Sequence, residues 1–135
     1  MKILIVEDDF VSRQLINKLL TPLGEVDCAA NGNEAFTAVK MAIDNNQPYD
    51  LICLDIMMPE VDGIMVLKKI RQLEAQLGLN PETRSKIIMT SAVSDKKFVV
   101  AAVQANCNGF LVKPIEKDRL FDELRKHGFD MPEQR

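Results

Sequence analysis

The sequence lacks any apolar run approaching the ~18 residues that a bilayer span requires, and its N-terminus, "MKILIVEDD", turns acidic too early for a secretory signal. Both features point to a cytoplasmic protein with no membrane partner. Positive charge is not in surplus: 17 Lys and Arg stand against 20 Asp and Glu, for a formal net charge of −3. With the two signs intermixed, a polyphosphate-binding surface is not the default, and nucleic acid is not an expected partner. Cysteine is scarce and odd in number. Cys28, Cys53 and Cys107 have no C-x-x-C spacing, which argues against a disulfide framework or a zinc site. Cys28 and Cys53 fall in apolar strands and are expected in the core as reduced thiols. The single histidine, His127, sits near the C-terminal end and is no member of a catalytic triad. There is also no repeat, low-complexity tract or interior linker.

What remains is a 135-residue chain, 47% hydrophobic, large enough for one core and too small for two comfortable domains. Short apolar runs alternate with helical patterns. "KILIVE" is followed by "DDFVSRQLINKLLTPLG", where Val11, Leu15, Ile16, Leu19 and Leu20 recur at helical spacing until Pro22 and Gly24 stop them. "EVDCAA" leads through an Asn31-Gly32 turn into a helix with Ala35, Phe36, Val39 and Ile43 on one face. Then come "DLICLD" and a helix with Leu67, Ile70, Leu73 and Leu77 as its stripe. "SKIIMTSA" precedes a fourth helix, capped by Ser94 or Asp95 and ending near Asn106. "GFLVK" and a last helix, "IEKDRLFDELRKHG", complete the series. Five near-continuous apolar strands separated by five helices imply an α/β fold: a doubly wound parallel sheet covered on both faces. Its chemistry belongs at the carboxyl edge of the strands.

Glu7, Asp8 and Asp9 follow the first strand, Asp55 the third, Thr90 and Ser91 the fourth, and Lys113 and Pro114 the fifth. Each has an unremarkable reading. Asp8 or Asp9 alone reads as a helix N-cap, Asp55 as a turn acceptor before Pro59, Ser91 as a cap and Lys113 as a solvated amine. Together they are harder to dismiss, because crowded carboxylates need a cation or a proton to coexist. Mg²⁺ suits such an oxygen site and leaves a side open for a phosphoryl group. Two carboxylates would hold the ion and a third would attack phosphorus, with Lys113 neutralising the phosphoryl oxygens and Ser91 donating a hydrogen bond to them. That chemistry makes an aspartyl-phosphate.

The motifs "VEDD", "LDIMMPEVDG", "TSA" and "FLVKP" resemble those of the response-regulator receiver domain, the phosphoacceptor module of two-component signalling. The resemblance spans Met1 to about His127. It implies a flavodoxin-like (βα)5 fold with strand order 2-1-3-4-5, a receiver over residues 1–127, and a short tail over 128–135 with no output domain. It also implies Asp55 as phosphoacceptor, Asp8 and Asp9 as the acidic pair, Ser91 as switch hydroxyl and Lys113 as partner of the phosphoryl oxygens. Phe110 takes the aromatic switch position. Asp8, Asp9, Asp55 and the Met57 backbone carbonyl would bind Mg²⁺, with Mn²⁺ as a substitute, and the peptide bond before Pro114 would be cis. The implied donor is a histidine kinase or a histidine phosphotransfer protein. The implied output is a phosphorylation-dependent contact with a downstream protein, at the fourth helix, fifth strand and fifth helix. The domain would be a switch rather than an enzyme with a separate turnover substrate.

The chain departs from the family pattern in several places. Ser91 stands where threonine is commoner, and Phe110 where tyrosine is frequent, leaving ring packing without a phenol hydrogen bond. The segment from Asp55 to Ser91 is longer than usual, with "LGLNPETRS" expected as a loop. "NCNGF" lacks the acidic residues that DNA-binding members often carry before the fifth strand's aromatic. Met57 and Val93, each two residues beyond a site residue, hydrogen-bond poorly to an attacking water, which predicts a long-lived phosphoprotein. In the apolar fourth helix, "FVVAAV", Phe98 or Val100 is expected to stay partly exposed.

Three alternatives stand beside this reading. A haloacid-dehalogenase-like phosphatase would need an acid at Met57 and room for a cap. A flavodoxin-like redox module would want a hydroxyl-rich loop where "EDDF" stands. A pseudo-receiver would switch without phosphate.

Overall fold

The computed structural model describes residues 1–58, 62–93 and 95–132. Five strands are joined by right-length helical crossovers: β1 Lys2–Val6, α1 Phe10–Leu20, β2 Glu25–Ala29, α2 Gly32–Asp44, β3 Leu51–Asp55, α3 Gly63–Gln76, β4 Lys86–Ser91, α4 Lys96–Gln104, β5 Gly109–Val112 and α5 Lys117–Lys126. All pairings are parallel and the order is β2-β1-β3-β4-β5, the order expected from the resemblance. It places the topological switch between β1 and β3, where side chains beyond the strand ends converge.

Strand periodicity divides the core into two layers. Leu4, Val6, Ile52, Leu54, Ile87 and Met89 face α2, α3 and α4, packing against Val39, Leu67, Ile70 and Ala102. The alternate residues Ile3, Ile5, Leu51, Cys53, Ile88 and Leu111 face α1 and α5, against Ile16, Leu20, Phe121 and Leu124. Every residue of β3 is buried, because the central strand has a helical layer on each side. Burying one such Leu or Ile contributes roughly 1.5–3 kcal/mol.

The helix boundaries follow their caps. Asp9, Asn31, Asp62 and Asp95 accept from backbone N–H groups in the first turns of α1, α2, α3 and α4. Asn31-Gly32 is therefore a helix start rather than a separate turn. Of the two caps foreseen for α4, Asp95 serves, while Ser94, like Pro59, lies outside the described residues. A short 3₁₀ turn over Thr21–Leu23 ends α1.

Three packing expectations need correction. Val11 and Leu15 are exposed, at 73% and 40%, so the buried stripe of α1 narrows to Ile16 and Leu20. Leu77 caps the C-terminus of α3 and is exposed rather than part of its stripe. Cys28 is exposed, because β2 is an edge strand whose Glu25, Asp27 and Cys28 all lie outside the helical cover. Cys53 is buried as expected, Cys107 is intermediate, and all three are free thiols.

Candidate functional site at the carboxyl edge

β1 and β3 run in register from Ile3 opposite Leu51 to Val6 opposite Leu54. One step further along both strands brings Glu7 beside Asp55, on the face that carries Ile3, Ile5, Leu51 and Cys53. Glu7 is fully buried and Asp55 is 2% exposed. With the exposed Asp8 they form a group whose ligand oxygens lie within 4.8 Å of one another. Glu7 Oε2 is buried with no hydrogen-bond partner, an uncompensated acceptor that a hard cation would satisfy. Three carboxylates with one orphaned oxygen fit an oxygen-ligated divalent ion such as Mg²⁺.

The sequence reading pairs Asp8 with Asp9, whereas the structure groups Asp8 with Glu7 and Asp55. Asp9 lies outside the group of three acids, and its carboxylate accepts from Ser12 N at 2.8 Å as the N-cap of α1. That backbone bond holds its pKa below the usual carboxylate range. The acid that joins Asp8 and Asp55 is Glu7, which sequence reading placed at this edge but left out of the pair. Extending the alternation of β1 two residues past Ile5 would have found it.

Lys113 comes from the end of β5, where its backbone N–H bonds the Ser91 carbonyl at 2.7 Å, just before a cis peptide bond to Pro114. Its ammonium donates to Glu7 Oε1 at 2.5 Å and lies 3.4 Å from Asp55 Oδ2. Burial opposes the charged amine, but the Glu7 hydrogen bond and the charges of Asp55 and Glu7 outweigh it and raise its pKa. Glu7 is pushed up to about 7, first by burial and then by its contact with Asp55, with Lys113 acting in the opposite sense. Negative charge thus exceeds what one ammonium neutralises.

Ser91 is fully buried at the end of β4, and its Oγ accepts from Val93 N at 3.1 Å. Met57 N donates to Asp55 Oδ1 at 3.3 Å while the Met57 side chain is half-exposed beside the site. Phe110 in β5 packs partly buried against the layer of α2, α3 and α4. Val93, Val100, Val103 and Val112 are exposed, whereas Phe98 is partly buried against that same layer. No helix among the described residues is long and apolar enough to cross a membrane.

Residues 3–125 match the model of the "Response regulator receiver domain" family. The chain is 38% identical over 127 residues to the chemotaxis protein CheY of Bacillus subtilis, covering 93% of this chain and 95% of that one. It is 35% identical over 121 residues to a segment of the osmosensing histidine protein kinase SLN1 of Saccharomyces cerevisiae, covering 88% of this chain and 9% of the kinase. Among solved structures, the CheX-CheY-BeF3-Mg²⁺ complex from Borrelia burgdorferi contains a chain 25% identical to this one, with a TM-score of 0.81 and coverage of 96% and 90%. That complex holds BeF3 and Mg²⁺, and the acidic group found here is compatible with such an ion. CheY-like receivers are signalling switches, not enzymes of the usual kind. Sheet order, acidic edge, lysine and family match agree: the chain belongs to the response-regulator receiver family of two-component signalling.

Proposed function

We propose that this receiver takes a phosphoryl group from a phosphohistidine on a histidine kinase or a histidine phosphotransfer protein onto Asp55. The observation that carries the reading is the buried Asp55 carboxylate at the end of β3, grouped with Glu7 and Asp8 and 3.4 Å from the Lys113 ammonium. Glu7, Asp8, Asp55 and the Met57 carbonyl would hold Mg²⁺, or Mn²⁺ in its place. When bound, the ion supplies positive charge to the phosphoryl oxygens.

An Asp55 carboxylate oxygen attacks phosphorus as the P–N bond to the donor imidazole breaks. The bond's electron pair returns to the ring nitrogen, and the imidazole leaves neutral, with a proton on its other nitrogen. Lys113 neutralises the transferred oxygens. Ser91 gives up its local contact with Val93 N and donates a hydrogen bond from its hydroxyl to the phosphoryl group, and Phe110 follows into the space Ser91 vacates. A downstream protein reads that shift at α4, β5 and α5, a reading supported on α4 and β5 by the exposed Val100, Val103 and Val112. The domain promotes its own phosphorylation and dephosphorylation, has no other substrate, and acts in the cytoplasm.

Replacing Asp55 with Asn removes the nucleophile. Intact-mass measurement with a small phosphodonor and Mg²⁺ is expected to show a single phosphoryl adduct on the wild type and none on Asp55→Asn. Undiminished labelling of the variant would sink the assignment.

A further inference from the structure

The turn that carries the acidic residues is held from outside by an arginine. Glu7 is the point at which β1 ends: its N–H still donates to Ala29 O of β2 at 3.0 Å, while its carbonyl turns away from the sheet and accepts from Arg13 Nη1 at 2.8 Å. Arg13 stands on the second turn of α1, part-buried, with its guanidinium carbon 5.7 Å from the centre of the Phe10 ring. Its own N–H closes the first helical bond, to Asp9 O at 2.9 Å. The segment Glu7–Asp8–Asp9 is therefore fixed at both ends, by Arg13 on the Glu7 carbonyl and by Ser12 N on the Asp9 carboxylate. Asp8, the exposed acid of the group of three, lies between these two anchors.

We infer that Arg13 is a positioning residue that sets the Glu7–Asp8 turn for divalent-cation binding. This rests on the metal reading given above. The side chain reaches the site through a peptide carbonyl and touches no reacting atom. Its fork and its stacking on Phe10 fix a direction that a flexible amine would not hold. Charge alone predicts the opposite effect, since a guanidinium close to a cation site repels the cation and its removal would tighten binding. The sign of the change therefore separates positioning from simple electrostatics.

The experiment is calorimetric titration of the full chain with Mg²⁺, using wild type, Arg13→Met, Arg13→Lys and Asp8→Asn. Loss of a charge-assisted hydrogen bond at the turn is expected to weaken Mg²⁺ binding about five- to tenfold in Arg13→Met. Arg13→Lys keeps the charge but not the fork and is expected to bind about two- to threefold more weakly than wild type. In Arg13→Met the backbone amide signals of Glu7 and Asp8 shift, while those of β4 and α5 stay in place. Wild-type or tighter Mg²⁺ affinity in Arg13→Met overturns the inference. If that variant does not fold, wild-type affinity in Arg13→Lys overturns it instead. Should wild type and Asp8→Asn bind Mg²⁺ equally, the metal reading itself fails and the Arg13 role falls with it.

Discussion

Glu7 divides its two oxygens between two tasks, one held by Lys113 and the other left without a partner beside Asp8 and Asp55. A residue that reads as the tail of a strand is thus the hinge of the site's electrostatics. A second single residue offers a clean titration. Tyr49 is the only tyrosine in a chain without tryptophan, and its hydroxyl donates to Asp27 at 2.7 Å. Burial first, then the bond to Asp27, raises its pKa well above the usual tyrosine value. The folded state therefore holds the phenol proton more tightly than the unfolded chain. The stability this gives is complete below the ordinary value near about 10 and is lost as pH rises beyond it. Tyrosinate absorbance is expected to appear together with unfolding, and Tyr49→Phe to flatten the alkaline decline. Early ionisation with the fold intact would contradict this. Two residues beyond Asp55 and Ser91 respectively, Met57 and Val93 are both exposed and apolar. Giving water a polar partner, with Met57→Asn or Val93→Glu, is expected to speed dephosphorylation severalfold; unchanged decay of the labelled protein would end the idea of a long-lived phosphoryl group. At this scale the sequence showed residue types better than directions. Asp55, Ser91 and Lys113 were legible because each ends an apolar strand. Glu7 against Asp9 was not, because the choice turns on where the strand's alternation gives way to a helix cap.

At the scale of elements, the ends of the sheet opposite the site are tied by a buried polar cluster. Arg71 of α3 bonds Glu74 Oε1, Ser85 O and Asn108 Oδ1 at 2.8 Å each and Asn106 O at 3.0 Å. Glu74 Oε2 accepts from Ser85 N, and Asn108 Oδ1 from Ile87 N. One guanidinium thus joins α3 to the connections on either side of β4 and α4. Both charges are almost fully buried, so removing one strands the other. Arg71→Met is expected to cost about 3–5 kcal/mol in urea unfolding; a loss below about 1 kcal/mol would show that the cluster only decorates the fold. None of this was read from the sequence. "IRQLEAQ" and "NCNGF" are far apart in the chain, and only the packed fold brings their polar groups together. Helix positions were legible from periodicity and caps, but the width of a buried stripe was not. Val11 and Leu15 keep helical spacing on a face that stays exposed.

For the whole molecule, the proposed switch is a population shift between two arrangements, read by a partner that prefers one. Any ligand selective for the folded site must also stabilise the fold. Mg²⁺ with beryllofluoride at about a hundredfold over its dissociation constant should add about 2.7 kcal/mol. For a domain of this size that corresponds to a rise in melting temperature of about 5–10 °C. Asp55→Asn should lose the beryllofluoride share of the rise, and an equal shift in that variant would place the ligand elsewhere. Fold class and strand order were legible at this scale because the alternation of strand and helix is uninterrupted and the receiver motifs fall in sequence along it.

The two-layer core has a mechanical consequence. Glu7, Asp55 and Thr90 continue the strand positions that point toward α1 and α5, whereas Ser91 and Phe110 continue those that point toward α2, α3 and α4. The proposed phosphoacceptor and its proposed reporters thus stand on opposite sides of one sheet, a single residue of pleat apart. If Ser91 moves toward a phosphoryl group as proposed, the displacement would enter α4's layer and leave the other layer as the frame. The sheet works as a bulkhead with one coupling through it, and motion on phosphorylation should be lopsided, large in the α4 layer and small in α1.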